Sequence, residues 1–344
     1  MNITFLIGNG FDLNCGLKSS YHDIYLEYIK QPSDSEIIRK FKNDLRDDID
    51  NWGDFEVAMS EYMDNFNSEQ AFLECLRDYI DFMEDYLTKE QRKILGIDDP
   101  NIFNKIAIEM EESLSKFHKG VTNSLDKLDV QYQHINVIVY NYTSVFDRLY
   151  SCSRERYPFV NRIIHIHGKL EDHDIVMGMD NINQIHTKNY TLSRKGKRAF
   201  IKSEFNIQWD KDRMIDAEAM ISDSDIICVF GMTLGESDIK WRNQILELLK
   251  SDSNSHFFIY QYDCSILPQM RAERKMDIEE DKKTILLESW GITGDEIDDY
   301  FNQIHIPCCK NIFNFKEVIE KETTRLQKIK EQNKKRPIEN ALKR

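Results

Sequence analysis

Ile3-Thr4-Phe5-Leu6-Ile7-Gly8-Asn9-Gly10-Phe11-Asp12-Leu13 opens the chain with an apolar run that breaks at a glycine turn and passes into polar, helix-starting residues. A buried strand delivered into such a turn gathers backbone N–H groups at one point, where a phosphate can be bound. The stretch is not the full dinucleotide fingerprint. Leu13 stands where G-x-G-x-x-G requires its third glycine, and the next glycine is Gly16. Two glycines fix turn geometry without fixing chemistry, so the same turn also suits a strand-to-helix connection with no ligand.

Outward from this turn, the next run that reads as a buried parallel strand is 135–140, more than a hundred residues later. Helical patterns fill the gap. Phe55, Met59, Tyr62 and Phe66 form one set; Phe72, Leu76, Ile80, Met83 and Leu87 a second; Ile102, Ile106, Met110, Leu114 and Phe117 a third. Steps of three and four place each set as one stripe on an otherwise acidic surface, which predicts an inserted helical subdomain over 21–129. Asp98-Asp99-Pro100 separates the second helix from the third.

Beyond 130 the pattern alternates. Residues 135–140, 162–167, 174–177, 225–230 and 256–262 read as extended, with helical patterns over 200–221 and 236–249. Alternation of this kind predicts the α/β class, a mostly parallel sheet with helices on both faces, built from 1–20 and 130–310. A last helix is expected from 315 to about 330, followed by a charged, basic, disordered tail within 311–344.

Composition narrows the function classes. With 344 residues and 41% apolar content the chain can bury a substantial core. No apolar run is long enough for a membrane span and no secretory pattern opens the sequence, so the expected location is the cytoplasm, with no membrane partner. Seven cysteines form no C-x-x-C pair, which fits reduced thiols and argues against a zinc ribbon. The net charge of -14 opposes nucleic-acid binding. The basic cluster Arg194-Lys195-Gly196-Lys197-Arg198 reads as a solvated loop, within reach of the phosphates of a small ligand.

In open parallel sheets ligands sit beyond the carboxyl ends of strands, so polar residues following apolar runs are the candidates. Asn141-Tyr142-Thr143 follows one strand; Asn141 can orient a ribose hydroxyl or a water, or cap the helix carrying Asp147. His165 and His167 end another in Ile163-Ile164-His165-Ile166-His167-Gly168, where alternation places both histidines on one face. No further carboxylate or cysteine has the spacing to complete a metal site with them. His167 suits a general base, and His165 a partly buried hydrogen-bonding residue. Gly231-Met232-Thr233-Leu234-Gly235-Glu236-Ser237-Asp238 offers glycines, hydroxyls and acids to a ribose or phosphate, with Ser237 or Asp238 equally able to cap the next helix. In Trp52-Gly53-Asp54-Phe55-Glu56, Asp54 reads as an N-cap with Glu56 in the first turn.

Taken together, the glycine turn with Gly16-Leu17 and Ser19-Ser20-Tyr21, Trp52-x-Asp54-Phe55-Glu56, Asn141-Tyr142-Thr143, His165-Ile166-His167-Gly168 and the 231–238 segment resemble the AbiH family of bacterial phage-defence proteins. That family is in turn similar to sirtuin-like, Rossmann-like NAD-binding defence proteins. The resemblance implies a cytoplasmic abortive-infection effector that binds NAD or a related nucleotide as substrate or ligand. Asn141 and His167 match the residues such enzymes use on the nicotinamide riboside to hydrolyse its N-glycosidic bond. The nucleotide contacts implied are Gly8, Asn9, Gly10, Phe11, Asp12, Tyr142, Thr143, Gly231, Thr233, Leu234, Ser237 and Asp238. No four-cysteine module for the sirtuin zinc is present, which argues against protein deacetylation and for no required cofactor. An effector that destroys NAD must be restrained, so a phage or host protein trigger, or self-association, is expected as the gate. The alternative is a nucleotide-binding sensor or scaffold without chemistry.

Overall fold

The computed structural model describes residues 1–97, 99–124, 134–153, 160–185, 187–261, 270–307, 312–321, 323–326, 328 and 329. Six strands, β1 (Asn2–Ile7), β2 (His134–Val139), β3 (Val160–His165), β4 (Ile226–Phe230), β5 (His256–Tyr260) and β6 (Ile304–His305), form one sheet in the order β3-β2-β1-β4-β5-β6. Every pairing is parallel, with Ile7 level with Val139 on one side and Phe230 on the other. This is the doubly wound order, whose direction of winding reverses between β1 and β4 and opens a crevice at their carboxyl ends.

Between β1 and β2 lie α1 (Gly10–Asn14), α2 (Tyr21–Tyr28), α3 (Glu36–Asp47), α4 (Phe55–Tyr62), α5 (Glu69–Leu95) and α6 (Pro100–Ser124). After β2 comes α7 (Val145–Ser153); between β3 and β4 come α8 (Arg194–Phe200), α9 (Lys202–Trp209) and α10 (Lys211–Ser222). Then follow α11 (Ile239–Ser251), α12 (Ala272–Ser289) and α13 (Glu296–Phe301).

The alternation of β1 divides the core. Ile3, Phe5 and Ile7 pack on one face with Ile102, Ile106 and Met110 of α6 and Val145, Phe146 and Leu149 of α7. Leu6 packs on the other with Met220 of α10, Trp241 and Ile245 of α11 and Leu287 of α12. Thr4, the polar member of β1, is satisfied there by the Ser224 hydroxyl at 2.6 Å and the Met220 carbonyl at 3.1 Å. Helices α2 to α5 enclose a third core, rich in aromatics, in which Phe55 stacks on Tyr79 with ring centroids 3.9 Å apart. Phe200, Ile201, Met177 and Met179 join that core, so it is stitched to the sheet domain, while α6 lies against the sheet.

Several sequence expectations change. Residues 174–177 form no strand; Met177 turns into the helical core, and Val176 only donates to the His167 carbonyl at 2.9 Å. The single helical pattern over 200–221 resolves into α9 and α10, because Asp210 leaves helical geometry and accepts from the Arg213 N–H to cap α10. Arg194 to Arg198 are not a loop but α8, started by the Ser193 side chain. The pattern at 236–249 splits into a 3-10 turn, Glu236–Asp238, and α11. Leu114, Phe117, Asp98 and the tail beyond 330 fall outside the described residues or side chains.

Candidate functional site

Gly8, ending β1, and Gly231, ending β4, meet at the reversal of strand order. The Gly8 N–H donates to the Phe230 carbonyl and the Gly10 N–H to the Gly231 carbonyl, both at 2.8 Å. A side chain on Gly10 would place its Cβ 2.5 Å from Gly231 Cα, and Gly231 itself holds φ 76, a left-handed backbone. The glycines are therefore explained by two loops in backbone contact.

The same turn has little left to offer a phosphate. The N–H groups of Gly8, Gly10 and Phe11 are all bonded to backbone carbonyls, the last to Gly8 at 3.0 Å, and α1 is only five residues long. The Asn9 amide is likewise taken up: it donates to the Ser19 carbonyl at 2.8 Å and accepts from the Ser19 hydroxyl at 2.6 Å. Phe11 does not face the crevice. It is fully buried in the sheet core, edge-on to Phe146, Phe313 and Phe315.

The crevice is a cleft of about 310 Å³ roofed by α2, α4 and α5 of the helical insertion. Of the residues singled out in the sequence, Gly8, Asn9, Asp12, Asn141, Tyr142, Thr143, His167, Gly231, Thr233, Leu234, Ser237 and Asp238 line it, whereas Gly10 and Phe11 do not. Stretches near 8, 141, 167 and 231 thus converge on one opening, as the parallel sheet dictates by carrying each strand end to the same edge.

Several polar atoms lining the cleft have no hydrogen-bond partner among the described residues. Asn141 is 6% exposed and both its Oδ1 and its Nδ2 are unpartnered, which removes the capping role open to it in the sequence. Tyr140 Oη, Asp12 Oδ1 and His167 Nε2 are unpartnered as well. The other oxygen of Asp12 accepts from the Thr143 hydroxyl at 2.6 Å, which fixes the carboxylate. Burial lifts Asp12 to about 6 even though the side chains of Thr143 and Asn141, the latter beside the carboxylate but outside hydrogen-bond geometry, pull the other way. His167 is pushed well below the ordinary histidine value, first by burial and then by the Lys202 charge, so its imidazole is neutral. The ring is hydrogen-bonded to the Tyr140 backbone and stands edge-on to the Tyr140 ring at 5.2 Å. Its Nε2 lies 3.6 Å from Asp238 Oδ1, beyond hydrogen-bond length.

His165 belongs elsewhere. β3 ends at His165, whose Nε2 meets Asp147 Oδ2 at 2.6 Å and whose Nδ1 meets the Asn141 carbonyl at 3.2 Å. Its ring lines a neighbouring cleft with Asp147, Arg162 and Arg213, so the two histidines do not act on one face. Among the described residues no group of three or more His, Cys, Asp or Glu is arranged to hold a metal ion.

Four residues at or behind the cleft carry no site role in the sequence reading. Lys202, at the start of α9, sends its Nζ to the Ser237 carbonyl at 2.8 Å, Glu56 Oε2 at 3.1 Å and Asp238 Oδ1 at 3.3 Å. Burial opposes its charge, and Asp238, Glu56 and Asp180 more than restore it. Glu56, read only as a favourable first-turn acid, also accepts from the Gly178 N–H at 2.9 Å, and burial raises it to about 7. Asp54 does cap α4, accepting from the Glu56 and Val57 N–H groups, but its second oxygen takes the Ser237 hydroxyl at 3.1 Å and so joins the insertion to the 231–238 loop. Tyr140 was legible only as the end of a strand. Asp238 occupies the cap position of α11 without a side-chain cap bond.

Among the described residues no helix is long and apolar enough to cross a membrane. No curated protein matches the chain. The family model for bacteriophage abortive infection AbiH matches residues 4–260, a span that contains every residue lining the cleft, and the chain belongs to the AbiH family.

Proposed function

We propose that this AbiH-family chain is an abortive-infection effector whose cleft binds NAD or a related nucleotide and hydrolyses its N-glycosidic bond to nicotinamide. The observation that carries this reading is the convergence of unpartnered buried atoms of Asp12, Tyr140, Asn141 and His167 on one cleft at the strand-order reversal. Each such atom costs about 1–3 kcal/mol when left without a hydrogen bond, a cost that a hydroxyl-rich ligand removes. The ribose of a nucleotide supplies that chemistry.

In the reaction, the C–N bond breaks with its electron pair passing to the nicotinamide nitrogen, and a ribosyl oxocarbenium centre forms. Water adds to that carbon and gives its proton to His167 Nε2, which is neutral and unpartnered. Asp238, 3.6 Å away, stabilises the imidazolium so formed, and Asn141 orients the water or a ribose hydroxyl through an amide that both donates and accepts.

The test is incubation of the full chain with NAD, NADP or ATP, alone and with lysate from phage-infected cells, followed by chromatography. Release of nicotinamide is expected, and His167→Ala should lower turnover by about 10²–10⁴, the usual worth of a general base. Equal release by wild type and His167→Ala would remove the assignment. Binding without any product would leave a sensor.

A further inference from the structure

A second cavity, of about 410 Å³, lies between α4 of the helical insertion and helices α11 and α12 of the sheet domain, and it shares no lining residue with the cleft. Arg242 of α11 lines it and is 8% exposed. An arginine this buried ordinarily has a carboxylate partner, because an unpaired charge out of water is costly. Arg242 has none among the described residues. Its Nε is buried without a hydrogen bond, and of its guanidinium donors only one, at Nη1, finds an acceptor there, the Ser289 carbonyl at 3.5 Å, the outer limit of such a bond. The neighbouring acids do not close the gap. Glu236 and Asp180 act on Arg242 through space without an ion pair, and Asp180 is already engaged by the Lys240 N–H at 2.8 Å.

We propose that this cavity binds a zwitterion, with a carboxylate at Arg242 and a cationic group at its other end. Two features of the wall set that class. The carboxylate follows from Arg242, whose planar fork of donors matches it in geometry and charge. The cation follows from Glu61, Glu236 and Glu288, which line the same cavity but are exposed, so the negative charge stands toward solvent and the positive charge inward. A plain anion such as phosphate has to pass these three glutamates, whereas a ligand positive at its outer end pairs with them. Met179 and Trp290, both buried, and Ile239 also line the cavity and offer apolar surface to a short hydrocarbon stem. The placement bears on the cleft as well. Helix α4 gives Glu56 to the cleft and Glu61 to the cavity, and the 236–242 stretch gives Asp238 to the one and Arg242 to the other. An occupant held by both walls ties together the two elements that carry those cleft carboxylates.

Isothermal titration of the full chain with ε-aminocaproate, caproate, hexylamine and inorganic phosphate tests this, since each probe keeps or removes one part of the ligand. The zwitterion ε-aminocaproate is expected to bind roughly tenfold or more tightly than caproate or hexylamine, and phosphate more weakly still. Arg242→Met should weaken ε-aminocaproate by roughly tenfold or more, as expected for one charge removed at an effective dielectric of about 20. The same variant, free of ligand, should melt no lower than wild type, because it removes a buried charge that has no partner. Glu61→Gln combined with Glu288→Gln, both at exposed positions, tests the cationic end without touching the buried arginine: it should shrink the preference for ε-aminocaproate over caproate. Glycylglycyllysine and its carboxyl-terminal amide separate two sources of this chemistry. Binding of the free tripeptide as tightly as ε-aminocaproate points to the chain terminus of a partner, binding of ε-aminocaproate alone points to a free small molecule, and the amide is expected to bind in neither case. Absence of binding by every probe would overturn the inference. So would hexylamine, phosphate or the amide binding as tightly as ε-aminocaproate, unchanged binding by Arg242→Met, or a lower melting temperature of that variant. None of these outcomes bears on the cleft or on the hydrolase reading, which stand on other residues.

Discussion

Among single residues, Lys202 shows how far the site depends on contacts remote in sequence. Its partners Glu56 and Asp238 lie 146 and 36 positions away, and Ile201-Lys202 carries no pattern that would have marked it. Asn141 and His167 were legible for the opposite reason: a polar residue at the end of an apolar strand announces its location by local order alone. Glu56 was half legible, since its first-turn placement was correct but its burial against Lys202 was invisible. Lys202→Met should cost about 3–5 kcal/mol in denaturant unfolding, because it leaves two buried carboxylates without their counter-charge. The double variant Lys202→Met with Glu56→Gln should recover part of that loss. A double variant no more stable than Lys202→Met would mean that the ion pair is not what the single change disturbs.

Among the elements, the loops after β1 and β4 are a single object. Gly10 and Gly231 approach so closely that a methyl group on either must push backbone against backbone. Gly10→Ala is expected to destabilise by about 1–3 kcal/mol, the usual cost of overpacking, seen as a lower melting temperature. An unchanged melting temperature would show that the contact is loose. The glycine turn is legible in the sequence, and the approach of the two loops is sufficient reason for glycine there. The buried strands were legible because apolar, β-branched runs of five or six residues sit between turn signals, as in Ile226–Phe230. β6 was not, for it is two residues long and owes its existence to pairing with Phe257 and Phe258. Residues 174–177 show the converse, an extended-looking run whose apolar side chains find the helical core before they find a strand partner.

For the whole molecule, the net charge of -14 and the acidic cleft act in the same direction, and their pH dependence tests the choice of ligand. Burial lifts Asp12 and Asp180 to about 6 and Glu56 to about 7, so all three lose protons as pH rises from about 5 to 8. Their folded values lie above those of an unfolded carboxylate. Protonation therefore favours the folded state in this window, and that contribution is lost as pH rises through 6 to 7. His167 has the opposite sign, its folded value lying below the ordinary one, so it withdraws stability as pH falls. The ligand-free melting temperature consequently mixes the two. Binding does not mix them: deprotonating the carboxylates and keeping His167 neutral both favour a bound cation, while Lys202 stays charged throughout. The rise in melting temperature given by a fixed excess of nicotinamide riboside should therefore grow from pH 5.5 to pH 8. An anionic group held against Asp12 and Glu56 would show the reverse trend, so a stabilisation that shrinks over that range would mean that the cationic nicotinamide end does not lie against these carboxylates.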